Sequence, residues 1–261
     1  MLLRAFTYAI IGALMLPMAV ILATSFTTLS YVSFPPEGFT LRWYAEALRK
    51  REFLDSFYLS LGVAAVTASL ATLLGAPVAV GLVRHRFPGR DLVNAFFMSP
   101  LVLPTVVIGI ALLQFYNNIR LGATVASLIL GHVIVTAPYA IRLIGASLTG
   151  LDPAIERAAR NLGAAPLRAF CLVTLPLILP GLMAGAIFAF ITSFDNVTIS
   201  VFLATPRMVT LPVRIYNLWD QPIQPWLIAI CSLVIAWTVL VITVIERLVS
   251  VRRLFGGSEA R

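Results

Sequence analysis

The stretch DPAIERAARNLGAAPLRAFCLVTLP, Asp152 to Pro176, interrupts a chain that is otherwise rich in long apolar runs. Asp152 followed by Pro153 is typical of a helix start, because aspartate accepts from free backbone N–H groups and proline is tolerated at the first helical position. Gly163 is typical of a helix end at positive φ, and Pro166 can open another helix. The stretch therefore predicts a helix, a sharp turn and a second helix.

The first of these two helices is predicted to be amphipathic. Its apolar stripe, at helical spacing, consists of Ile155, Ala158, Ala159 and Leu162. Its polar face consists of Glu156, Arg157, Arg160 and Asn161. Periodicity alone fits a surface helix along the lipid headgroups.

The rest of the chain has the composition of a polytopic membrane protein. Of its 261 residues, 60% are hydrophobic and 11% are charged. A membrane-spanning helix needs about 20 mostly apolar residues, because its backbone must satisfy its own hydrogen bonds in hydrocarbon. Six stretches qualify as spans, at residues 6–26, 57–83, 92–115, 123–148, 177–202 and 226–245. The first is too long for a signal peptide and is interpreted as a retained helix.

The distribution of basic residues predicts the orientation of these spans. Twelve of the 19 basic residues fall on the side that carries Arg4, Arg84, Arg86, Arg90, Arg142, Arg157, Arg160, Arg168, Arg247, Arg252, Arg253 and Arg261. This side is cytoplasmic by the positive-inside rule, which places both termini and the 152–176 loop inside. The net charge of +8 is therefore a topology signal and does not indicate nucleic-acid binding.

Several kinds of chemistry find no support in the sequence. Lys50 is the single lysine and lacks the glycines of a phosphate-binding loop, so the chain is not expected to be an ATPase. We find no catalytic constellation, and neither Cys171 nor Cys231 has neighbours that suggest a disulfide or a metal site. His132 in the fourth span is more simply explained as a hydrogen-bonded packing residue than as a proton relay.

The central stretch resembles the cytoplasmic signature of binding-protein-dependent ABC importers, E-A-A-x-x-x-G, nine residues, then I-x-L-P. The corresponding positions here are Arg157-Ala158-Ala159, Gly163 and Val173-Thr174-Leu175-Pro176. Val173 replaces isoleucine, which is a minor change. Arg157 stands where the motif has glutamate, and Glu156 lies one residue earlier. The resemblance implies that the loop is the coupling helix of a permease, with the glycine forming its turn.

In that family, the coupling helix docks into a groove of an ATPase subunit, where the motif glutamate contacts a basic residue. The resemblance therefore implies that the polar face points toward the cytoplasmic partner, while Ile155 and Leu162 pack on their own turn or into the groove. Here either Glu156 reaches across from its neighbouring position on the helix, or Arg157 contacts an acidic residue of the partner. The coupling residues that the resemblance implies are Glu156, Arg157, Ala158, Ala159, Arg160, Gly163, Leu175 and Pro176.

Four further segments resemble the spermidine/putrescine-type permeases, a branch that also includes importers of other small organic solutes and of iron. They are FPPEGFTLRWYAEAL at residues 34–48, MSPLVLP at 98–104, SFDNVTISVFL at 193–203 and TLPVRIYN at 210–217. The resemblance implies an all-α membrane protein, with the six helices of a type I ABC importer permease in one domain, residues 1–261. The coupling helix would lie between the fourth and fifth of them.

The resemblance also implies partners and a mechanism. We expect two ATPase subunits that bind ATP and Mg²⁺, a second permease subunit, and an extracytoplasmic substrate-binding protein, all at a bacterial inner membrane. No cofactor, metal or nucleic acid is expected on this chain. A polyamine-like solute would cross by alternating access. The alternatives are a self-sufficient secondary transporter or channel and a non-transporting membrane scaffold. We find no internal repeat in the sequence, which argues against the secondary transporter.

Candidate residues of the solute pathway lie in the third and fifth spans. Asp195 is predicted about 27 Å along the fifth helix from Leu177, near the outer surface, where a carboxylate should face a cavity or a partner. Alternatively, Asp195 and Asn196 form a cap or turn. Pro180, Gly181 and Gly185 would permit close packing and a local break. The candidate pathway residues are Ser193, Asp195, Asn196, Pro100 and Pro104.

Overall fold

The computed structural model describes residues 2–218 and 220–256, and every regular element in that part of the chain is helical. The helices are α1 Leu2–Thr24, α2 Arg42–Arg49, α3 Arg51–Arg84, α4 Arg90–Met98, α5 Thr105–Asn118, α6 Val125–Thr149, α7 Pro153–Asn161, α8 Pro166–Ala169, α9 Leu175–Phe194, α10 Thr198–Leu203, α11 Leu211–Tyr216 and α12 Pro225–Gly256. A 3-10 turn, Ser99–Leu101, follows α4, and a π-helical turn, Phe170–Thr174, joins α8 to α9. The all-α prediction is confirmed.

Five stretches of the described helices are long and apolar enough to span a membrane: Leu3–Thr24, Arg51–Arg84, Val125–Thr149, Pro166–Phe194 and Pro225–Thr243. The remaining predicted span is a bent pair, in which Arg90–Leu101 and Thr105–Asn118 meet at 99°. Counted as one span, this pair brings the total to six. The bend has a local cause, because Pro104 lacks an N–H donor and its ring disfavours helical backbone at the residue before it.

The fifth predicted span differs from the structure in two respects. The stretch 177–202 is not one helix, because α9 ends at Phe194 and α10 begins at Thr198. The side-chain oxygen of Asn196 accepts from the backbone N–H of Ile199 at 2.8 Å, which stabilises the start of the new helix. The expected break at Pro180 is wrong, since α9 continues through this residue.

Residues up to Asp55, together with those from Arg214 onward, form one compact unit, and Ser56–Val213 form another. In the first unit α2 packs on α12. The hydroxyl of Tyr44 lies 3.0 Å from that of Ser232 and 2.6 Å from that of Ser25. The indole N–H of the buried Trp43 donates to the carbonyl of Thr27 at 2.8 Å. These contacts tie the loop after α1 to α2.

The second unit is built around the packing of α6 against α9. Gly185 allows this close approach, because a Cβ at that position would lie 3.2 Å from the Cα of Ala140. The buried side chains of Ile144 and Ile178 belong to the same hydrophobic cluster. The predicted close packing at the small residues of the fifth span is therefore confirmed at Gly185.

Candidate functional site

The loop between α6 and α9 contains the predicted helix and turn. The carboxylate of Asp152 accepts from the backbone N–H of Ala154 at 2.8 Å, and Pro153 is the first residue of α7. No residue of α7 is buried. The helix therefore offers most of its surface to contacts outside the chain, as expected for a short element without its own core.

Gly163 ends α7 in the left-handed conformation, with φ +94°. Its N–H donates to the carbonyl of Arg160 at 3.0 Å, and the N–H of Ala164 donates to that of Ala159 at 3.2 Å. This is the Schellman arrangement that closes a helix. A Cβ on Gly163 would meet no atom within 4 Å, so glycine is required by the backbone conformation and not by lack of space.

Glu156 points toward its own membrane helices. The guanidinium of Arg84, the last residue of α3, donates to Oε2 of Glu156, and the hydroxyl of Thr174 donates to the same oxygen. Arg84 and Glu156 each keep 17% of their side-chain surface exposed, and Thr174 is fully buried. In the structure, Glu156 is thus engaged by its own chain and not turned outward as predicted, because two intramolecular donors hold its carboxylate.

The surroundings of Glu156 keep its carboxylate charged. The hydrogen bond from Thr174 lowers the pKa of Glu156, and the hydrogen bond and charge of Arg84 lower it further, against the opposing effect of burial. The charge of Arg160 acts in the same direction. A carboxylate that accepts hydrogen bonds beside a guanidinium is favoured in its ionised form.

The exposed surface of α7 and its C-terminal turn includes both apolar and basic side chains. Leu162 is 90% exposed and Ile155 is 45% exposed, so neither packs on its own turn. Arg157 and Arg160 line a concave surface of about 480 Å³ together with Asn161, Ala164 and Pro166. Ala158 is exposed and Ala159 is half-buried, while Leu175 and Pro176 lie exposed at the start of α9.

The predicted pathway residues near the end of α9 have separate surroundings. Ser193 is buried and its hydroxyl lies 2.7 Å from Nδ1 of His132, whose Nε2 lies 2.9 Å from the hydroxyl of Ser200. His132 thus links α6 to α9 and α10, which supports its interpretation as a packing residue. Asn196 caps α10, whereas the exposed Asp195 has no side-chain hydrogen bond among the described residues.

The two prolines of the third span lie at the bend between α4 and α5. Pro100 belongs to the 3-10 turn, and Pro104 precedes the first residue of α5. A cavity of about 520 Å³ lies here against α3 and α6, and its walls are apolar. Pro100 lines the cavity together with residues such as Leu74, Phe97, Val107, Val133 and Ile141. The cavity walls provide no counter-charge for an ionic solute.

Sequence reasoning did not identify the partners of Glu156. Thr174 could have been found, because it lies within the VTLP segment of the signature. Arg84 carries no such signal, since no spacing rule relates the end of α3 to a residue in α7. In the sequence, Arg84 contributes only to the distribution of basic residues that predicts the orientation of the spans.

Comparison with known proteins shows the family of this chain. Residues 71–254 match the family described as binding-protein-dependent transport system inner membrane component. The chain belongs to this family. The permease is 34% identical over 205 residues to the putrescine transport system permease protein PotI of Escherichia coli K12, covering 76% of this chain and 73% of that protein.

Other relatives extend the similarity along the permease. It is 28% identical over 237 residues to the spermidine/putrescine transport system permease protein PotC of Escherichia coli K12, covering 91% of this chain and 89% of PotC. Its fold matches a chain of a bacterial ABC transporter that imports the acidic polysaccharide alginate, with a TM-score of 0.76 and 17% identity, over 94% and 95% of the two chains.

These findings confirm the predicted family and fold class. The protein is a multi-pass inner-membrane permease subunit of an ABC importer. Membership of this family also implies an ATPase and a substrate-binding protein as partners. The alternatives of a self-sufficient transporter and of a membrane scaffold are set aside.

Proposed function

We propose that this permease imports a small cationic solute of the polyamine class. The observation that carries the proposal is its similarity to PotI and PotC, which are named as putrescine and spermidine/putrescine permeases. The solute passes from an extracytoplasmic binding protein into a cavity that opens alternately to each side of the membrane. Asp195, an exposed carboxylate at the end of α9, supplies a negative contact for the cation.

In this proposal the permease is half of a heterodimeric membrane core. A second permease subunit completes the pathway, and two ATPase subunits hold ATP and Mg²⁺, so the chain itself needs no cofactor. Both termini and the α7 loop are cytoplasmic, which the distribution of basic residues supports. Of the residues used for that orientation, Arg261 lies outside the described part of the chain.

The coupling contact is assigned to the exposed surface of α7 and its C-terminal turn. Leu162 and Ile155 enter an apolar groove of the ATPase, and Arg157 and Arg160 contact acidic residues at its rim. The proposal is supported by the exposure of Leu162 and by the engagement of Glu156 inside the permease. Gly163 sets the angle between α7 and α8, and Leu175 and Pro176 begin the helix that receives the motion.

The function can be tested by co-expressing the permease with the ATPase, second permease and binding protein of its own system. Purified complex in proteoliposomes should hydrolyse ATP faster when putrescine or spermidine is supplied with the binding protein, and it should accumulate the labelled polyamine. A neutral amino acid and an oxyanion serve as controls. Stimulation by either control, without stimulation by polyamines, would contradict the proposed solute class but not the assignment as a permease.

A further inference from the structure

Three side chains from distant parts of the sequence meet where the coupling loop joins the membrane helices. Arg84 ends α3, Glu156 lies in α7, and Thr174 ends the π-helical turn before α9. The guanidinium and the hydroxyl both donate to Oε2 of Glu156, with the hydroxyl at 2.5 Å. One carboxylate oxygen therefore joins three elements.

The low exposure of this cluster distinguishes it from an ordinary surface ion pair. Arg84 and Glu156 each retain 17% of their side-chain exposure, and Thr174 retains none. Charge-assisted hydrogen bonds in such surroundings are stronger than neutral ones, and removal of one partner leaves the other charge unmatched. By contrast, the pair between Glu46 and Lys50, at 3.9 Å, keeps 44% and 31% of its side-chain surfaces exposed.

The rest of α7 is held weakly to its own chain. None of its residues is buried, and the large apolar side chains of Ile155 and of the C-cap residue Leu162 are exposed. Within the described residues, α7 is therefore attached to the membrane helices through the hydrogen bonds of this cluster.

We propose that Arg84 and Thr174 are positioning residues that clamp the coupling helix, through Glu156, to the end of α3 and the start of α9. This inference rests on the proposed function of α7 as the ATPase-coupling helix. The three residues Arg84, Glu156 and Thr174 together form this clamp. When the ATPase displaces α7, the clamp transmits the displacement to α3 and α9.

The clamp gives a physical reason for the fixed spacing within the signature. The chain must leave Glu156, turn at Gly163, and return so that Thr174 of VTLP meets the same carboxylate. The π-helical turn at Phe170–Thr174 sets the direction of Thr174 relative to α9. An insertion or deletion between the glycine and the VTLP segment would move the hydroxyl away from Glu156.

The clamp can be tested by charge exchange in the complete transporter. Glu156→Arg and Arg84→Glu each place like charges together, and each should lower uptake at least about tenfold. The double variant restores opposite charges, and Thr174 can then accept a hydrogen bond instead of donating one. Uptake in the double variant should recover to within about threefold of wild type. Arg86→Glu, which changes an exposed arginine nearby, is the matched control and should leave uptake unchanged.

A second series separates coupling from folding. Thr174→Val keeps the shape of the side chain but removes its donor, whereas Thr174→Ser keeps the hydroxyl. We expect Thr174→Val to lower the amount of solute moved per ATP hydrolysed while the ATPase still co-purifies. Thr174→Ser should keep the wild-type ratio of solute to ATP. This ratio is the readout that a purely structural role would not change.

The outcomes discriminate between the clamp and the proposed function. The clamp is overturned if the double variant is as defective as the single ones, or if Thr174→Val transports with wild-type stoichiometry. It is also overturned if Glu156→Arg abolishes ATPase binding while Arg84→Glu does not, since Glu156 would then contact the ATPase. If wild-type permease fails to bind an ATPase at all, the proposed function fails instead.

Discussion

At the scale of single residues, Gly163 has a conformational role that can be isolated. Its φ of +94° is unfavourable for a side chain, and Gly163→Val should cost about 1 kcal/mol or more locally. We expect reduced uptake with normal membrane insertion, because the angle between α7 and α8 changes. Gly150→Ala is the control, since Gly150 has an ordinary φ of −77° and should tolerate a methyl group. Normal transport by Gly163→Val would contradict the role of the turn.

Asp195 offers a second test at this scale. Asp195 is an exposed residue and makes no side-chain hydrogen bond among the described residues, whereas the neighbouring Asn196 caps α10. Asp195→Asn should therefore leave complex assembly intact and reduce uptake of a cationic solute, while Asp195→Glu should retain uptake. Uptake assays alongside thermal stability of the purified complex measure both effects. Wild-type uptake by Asp195→Asn would show that the charge has no part in the pathway.

At the scale of the element, the exposed residues of α7 suggest a test of how the permease binds its ATPase. Arg157 and Leu162 are both exposed, and Glu156 is engaged inside the permease. Arg157→Glu should weaken ATPase capture at least about tenfold if the facing residue is acidic, because like charges then meet in a partly desolvated contact. Pull-down of the ATPase with each variant gives the measurement. Arg90→Glu, at the start of α4, is the control. Stronger capture by Arg157→Glu would mean that the facing residue is basic.

At the scale of the whole molecule, the orientation of the permease in the membrane can be tested by labelling the thiol of a native cysteine. Cys171 is exposed in the π-helical turn, whereas Cys231 is partly buried in α12. With Cys231 replaced by alanine, a membrane-impermeant maleimide should label Cys171 in inverted vesicles and not in intact spheroplasts. Ser30→Cys in a cysteine-free chain, placed in the loop after α1, should show the opposite pattern. Labelling of Cys171 from outside would reverse the orientation.

The sequence by itself determined those features that depend on neighbouring residues. Asp152 and Pro153 start α7, Gly163 ends it at positive φ, and Pro166 starts α8, all as predicted. These outcomes follow from backbone sterics and local hydrogen bonds, which act within a few positions along the chain. The apolar runs likewise located the spans approximately, because hydrocarbon imposes a minimum helix length, but they did not show the bend in the third span or the end of α9 at Phe194.

Only the tertiary structure decided which way Glu156 points and what His132 and Ser193 contact. Arg84 lies in a different membrane helix from the loop that contains Glu156, and Ser193 is likewise distant in sequence from His132. No periodicity relates such residues, since their distance is set by how α3, α6 and α9 pack. Amphipathicity alone predicted that Glu156 faces a partner, but the hydrogen bonds from Arg84 and Thr174 favour its inward orientation.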